Sequence, residues 1–167
     1  MSEEVEPDSF PASLERYARL MREFEEESDR GCAILMLCAL EEALVGLFQA
    51  LVVEGQPIDT LGTRAGGIDR AIDRARALGL MKKEEAECFK HLSRIRNRFA
   101  HHVTERLRFT EPSIQRQIEA TPYPFPPTPG VDLDADAGPR MKFMMRAASL
   151  NSLLLFRRKA VSRLRQL

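Results

Sequence analysis

The 167-residue chain has no tryptophan, two tyrosines, three cysteines and a formal net charge of zero. Each shortage excludes something. Three cysteines without a Cys-x-x-Cys pair give neither a disulfide framework nor a structural zinc site. Equal numbers of basic and acidic residues, 25 of each, leave no global positive field of the kind that coats DNA. The start, MSEEVEPDSF, has no apolar core and does not read as a secretory signal. The longest unbroken apolar run, Cys32 to Leu40, is too short to span a bilayer. No glycine-rich phosphate loop, no Gly-x-Ser-x-Gly elbow and no helix-turn-helix stands out. The expectation is a single cytoplasmic helical domain over 1–167, large enough to fold around its own core, with no cofactor, no metal and no membrane contact.

What is present is helical periodicity. Phe10, Leu14, Tyr17, Met21 and Phe24 recur at three- and four-residue steps after a flexible 1–8, with Ser9 and Pro11 at the start. Ser28 or Asp29 caps a second helix, about 30–53, that is apolar nearly all round and therefore central. Gly55, Pro57, Gly62 and the Gly66–Gly67 pair break the pattern. A third helix covers about 67–78 and stops at Gly79. A fourth begins near Glu84 and carries Cys88, Phe89, Leu92, Ile95, Phe99 and Val103. Thr110 caps a short helix with Pro112 in its first turn. The segment 121–130 has five prolines and reads as an extended loop. With 131–139 it forms a long connector, either mobile or functional. A basic helix over 140–167 closes the chain. The class is all-α, a bundle around the central apolar helix.

Charge is unevenly spread. Residues 1–29 hold ten acidic side chains against three basic ones, and 140–167 hold eight basic ones and no acid. Either the chain ends lie close enough to pair, or the last helix is a nucleic-acid-binding tail.

The richest local signal is Arg96-Asn97-Arg98-Phe99-Ala100-His101. At about 100° per residue, with Arg96 at zero, the apolar residues occupy an arc centred near 320°. Asn97 falls at about 100°, Lys90 at about 120°, His101 at about 140° and Arg94 at about 160°. These four form one polar, cationic stripe bordered by Arg96. A guanidinium can hold phosphate through two parallel bonds, and an imidazole titrates near neutrality. Metal-independent RNA cleavage needs those groups: a base, an acid and a cation for the developing phosphorane charge. The structural alternative is that Arg96, on the edge of the core, is tied to Glu41 or Glu42 of the central helix. His91 reads as a surface side chain, and Cys32, Cys38 and Cys88 read as core thiols.

From Ser28 to about Gln117 the chain resembles the mannitol operon repressor family of bacterial regulators. The matching pieces run in order: Asp29-Arg30-Gly31, Leu40-Glu41-Glu42-Ala43-Leu44, the Gly62 loop, Ala77-Leu78-Gly79-Leu80, Arg94 to His101, and Phe109-Thr110-Glu111-Pro112-Ser113-Ile114. The resemblance implies an all-helical fold and transcriptional regulation through a protein partner, with no recognisable DNA-binding motif. The element Arg96-x4-His101 also resembles the Arg-x4–6-His motif of HEPN domains, helical dimers of which many are metal-independent ribonucleases. That second resemblance would make Arg96 and His101 a catalytic pair, with Asn97 as the polar residue after the arginine and RNA as substrate. It also implies a homodimer whose cleft is lined by the helix carrying the stripe.

Overall fold

The computed structural model describes residues 19, 21–52, 67–102, 104, 106–126 and 133–164. Among the described residues every regular element is a helix, so the chain is an all-α bundle. Residues 21–26 are helical, and five bounded helices follow: α1 (Asp29–Leu51), α2 (Gly67–Ala77), α3 (Lys83–His101), α4 (Pro112–Glu119) and α5 (Pro139–Leu164).

The central position of α1 follows from its composition. Cys32, Met36, Leu37, Leu40, Leu44, Leu47 and Phe48 are all buried, against α5 most extensively and α3 next. By length and hydropathy alone α1 could cross a membrane, a possibility that counting only unbroken apolar residues had missed. Its apolar character is accounted for by packing: 56% of the most apolar window is buried inside the protein. Ser28 caps α1, its hydroxyl accepting from the Gly31 N–H at 3.0 Å. Met21 and Phe24 pack on the core as their spacing predicts; Phe10, Leu14 and Tyr17 lie outside the described residues, as does the glycine-broken stretch from Gly55 to Gly66.

α2 ends as expected. Gly79 has φ +71°, its N–H donates to the Arg76 carbonyl and the Leu80 N–H to the Ala75 carbonyl. That is a Schellman stop, which a side chain at position 79 would strain. α3 begins one residue earlier than read, at Lys83. Glu85 reaches back to accept from the Lys82 N–H at 2.7 Å. α3 ends at His101, and Val103 lies outside the described residues. Phe99, Phe109 and Phe143 form a continuous aromatic run, with centroids 4.9 and 5.1 Å apart, that joins α3, the segment before α4, and α5. Two sequence expectations are corrected. The N-cap of α4 is Glu111, not Thr110, because Pro112 occupies the first helical position and sets the start one residue later. Cys38 is exposed: it lies on the face of α1 turned away from α3 and α5, whereas Cys32 and Cys88 are buried.

The described parts of the Pro-rich connector are pinned. Thr121 is buried, and the Tyr123 hydroxyl donates to Asp134 at 2.8 Å. Both flanks converge on Arg146 of α5, which is 4% exposed. Its Nε donates to the Thr121 carbonyl, its terminal nitrogens grip both Asp134 oxygens, and its guanidinium lies 4.4 Å over the Tyr123 ring. A buried arginine survives only when its donors are satisfied, and these are.

Candidate functional site

The residues singled out in the sequence separate into two groups once neighbouring helices are in place. Arg96 belongs to the frame. Its Nη2 donates to Glu41 Oε1, an ion pair linking α3 to α1. Of the two acids proposed for it, Glu41 is half-buried and engaged, while Glu42 is exposed. His101 is exposed at the C-terminal end of α3 and Asn97 is half-buried; among the described residues neither side chain makes a hydrogen bond. Arg96 and His101 point about 140° apart round the helix, and Arg96 turns toward α1.

The single cationic stripe is also divided. Lys90 bonds to Asp73 of α2 at 2.6 Å, so α2 covers that side of α3. Arg94, one turn on and about 40° further round, lines a groove between α3 and α4. The groove, about 440 Å³, is lined by His91, Arg94 and Arg98 of α3 and by Ser113, Arg116 and Gln117 of α4. Each set is one helical face: positions i, i+3 and i+7 on α3, and i, i+3 and i+4 on α4. Arg98 donates to the Ser113 hydroxyl at 3.0 Å and holds the walls together. Arg94 and Arg116 are exposed, and among the described residues none of the three arginines has a carboxylate partner. His91 is a groove wall rather than a simple surface residue. Burial, and then the charge of Arg94, hold its pKa below the ordinary value against the opposing pull of Glu87. Both effects favour the neutral imidazole, and the groove's charge is carried by guanidiniums.

Sequence reasoning missed Arg98, Arg116, Ser113 and Gln117 as a set. The signal existed, since both faces are legible at helical spacing. It becomes a site only when α3 and α4 are known to pack side by side.

Elsewhere several arginines are tied into the frame. Arg140 of α5 donates to the carbonyls of Phe24, Glu25 and Glu27 and, at 3.1 Å, to Asp29. It satisfies the orphan carbonyls that end the helical segment 21–26. Asp29 meanwhile accepts from the Phe109 N–H at 3.0 Å. Arg157 grips both oxygens of Glu85, which is 1% exposed, at 2.5 Å each. The described end of the acidic first stretch does meet the start of the basic last helix, chiefly through arginine donating to backbone rather than through rows of opposite charge. The buried thiols are chemically quiet: burial pushes Cys32 up to about 11, against the lowering effect of Arg140, and pushes Cys88 up to about 12. Among the described residues no three His, Cys, Asp or Glu side chains gather as a metal site would require.

No protein-family model, no curated protein and no solved structure matches the chain.

Proposed function

We propose that this protein is a transcriptional regulator of the mannitol-repressor type, acting in the cytoplasm as a homodimer through a protein partner rather than through a DNA-binding motif. One observation carries the reading: the pieces that resemble the family interlock with one another. Asp29 accepts from Phe109, 80 residues away. Arg30 donates to the His102 carbonyl, 72 residues away, just past the Arg94–His101 piece. Glu41 holds Arg96, and Arg98 holds Ser113. Residues scattered along the chain that serve one another in space are a scaffold, and a scaffold motif supports an adaptor more than a catalyst.

The HEPN-like alternative needs Arg96 available to a phosphate. Glu41 occupies that guanidinium, which weighs against a catalytic role for it. Transcript profiling of a deletion strain, with affinity capture from the native cell with and without nuclease, tests the reading. Altered transcript levels together with a nuclease-resistant protein partner are expected. RNA cleavage by the purified protein that disappears in His101→Ala would overturn it. Sedimentation of the wild type tests the dimer separately, and a monomer at every accessible concentration removes that part.

A further inference from the structure

The groove between α3 and α4 places Arg94, Arg98 and Arg116 around one opening with no carboxylate among them. Glu87, the acid whose charge reaches His91, is paired with Lys83 at 3.8 Å. Gathering like charges costs energy that an anion returns. Arg96, Arg140, Arg146 and Arg157 each have their own carboxylate, and exposed arginines such as Arg70, Arg76 and Arg163 have none among the described residues; what sets the groove apart is that three guanidiniums share one opening.

The polar lining narrows the ligand. Planar guanidiniums match the spacing of phosphate oxygens and bind them through two parallel bonds. The Ser113 oxygen already accepts from Arg98, which leaves its O–H to donate to a ligand oxygen. Gln117, also in the lining, keeps a buried amide oxygen with no donor. The phosphoryl oxygens of a phosphomonoester dianion carry no hydrogen to give that oxygen, but a hydroxyl on the alcohol part of the ester does. The volume, about 440 Å³, falls within the ~300–1,000 Å³ of small-ligand pockets and exceeds what a bare phosphate fills.

We propose that this groove binds a phosphate ester bearing a neighbouring hydroxyl. Arg94, Arg98 and Arg116 take the phosphate, Ser113 donates to it, and Gln117 accepts from the hydroxyl. The site does not depend on the regulatory reading and stands or falls by itself. The ester could be a free phosphomonoester or the ribose-phosphate of RNA, and both present the same groups.

The test is calorimetric titration at low ionic strength with glycerol 3-phosphate, inorganic phosphate, glycerol and a ten-nucleotide single-stranded RNA, together with amide chemical shifts of the wild type. Saturable binding of glycerol 3-phosphate or of the RNA is expected, with the larger shifts confined to 91–98 and 113–117. Where glycerol 3-phosphate saturates, it should bind at least threefold more tightly than inorganic phosphate, and glycerol should not bind; equal affinity for the two overturns the role given to Gln117. The double variant Arg94→Ala/Arg116→Ala should weaken ester binding at least tenfold, while Arg163→Ala, an exposed arginine near the end of α5, changes it less than twofold. Saturation by glycerol 3-phosphate alone assigns a free phosphomonoester, and saturation by the RNA alone assigns a polynucleotide. No saturation by either ester overturns the proposal, as do shifts located elsewhere or a folded double variant that binds like the wild type.

Discussion

Two populations of arginine share this bundle, and their difference separates frame from surface chemistry. Arg140, Arg146 and Arg157 of α5, with Arg96 of α3, each hold a carboxylate, and Arg140 and Arg146 also gather backbone carbonyls from distant segments. Arg94, Arg98 and Arg116 share one groove with the neutral polar side chains of Ser113 and Gln117 and no acid. The same side chain acts as a structural bolt where acids and carbonyls surround it, and keeps donors open where they do not. Residue type does not distinguish the two cases, but partner geometry does.

The comparison breaks most readily at the frame. Arg157→Ala leaves Glu85 buried without its cation and should cost about 3–5 kcal/mol in a urea melt. A smaller loss would place the two arginine populations on one scale. Leu44→Ala, at a site 1% exposed on α1, should cost about 2–5 kcal/mol through lost burial and a cavity. An unchanged melting curve would remove α1 from the centre of the core.

Arg96→Ala should cost less, about 1–2 kcal/mol. Its pair with Glu41 is only partly buried, at 25% and 35% exposure, and so lies between exposed and fully buried cases. Its Nε is also buried without an acceptor, a debit that the substitution removes. The pair at Asp134 sharpens the contrast by pH. Burial pushes the Asp134 carboxyl up, but hydrogen bonds from Arg146 and Tyr123 and the charges of Arg146 and Lys142 outweigh it, and the net pKa is lowered from 3.8. A lowered folded-state pKa gives stability that is present above the ordinary value and lost as pH falls through the folded one. Wild type should therefore lose more stability below about pH 4 than Asp134→Asn does, and identical acid profiles would remove the linkage. The smallest effect belongs to the groove: Arg94→Ala and Arg116→Ala should each leave stability within about 0.5 kcal/mol. A larger loss would show that those arginines have partners after all.

Much of the frame was legible in residue order. The apolar circumference of α1, the stop at Gly79, and an acid on α1 for Arg96 all follow from period and chemistry. The stripe of Lys90, Arg94, Asn97 and His101 was legible as a face of one helix but misleading as a unit. α2 claims Lys90 and α4 shares Arg94, and only neighbouring helices decide where a face is divided. Arg140 and Arg146 were counted as basic residues and nothing more. Their partners are mostly carbonyls and turn residues far along the chain, which leave no periodic trace.

The pairing of α1 with α5 has a consequence for synthesis. The most extensive partner of the most apolar helix is made after the three helices that lie between them in the chain, and Arg140 fastens Phe24 across 116 residues. Translation at ~5–20 residues per second leaves α1 without that cover for ~5–20 s after it is made. A chaperone that recognises extended apolar helices would find its target in that interval. Truncation before Pro139 should extend the interval indefinitely, giving a nascent chain that aggregates or is degraded rather than a smaller folded domain.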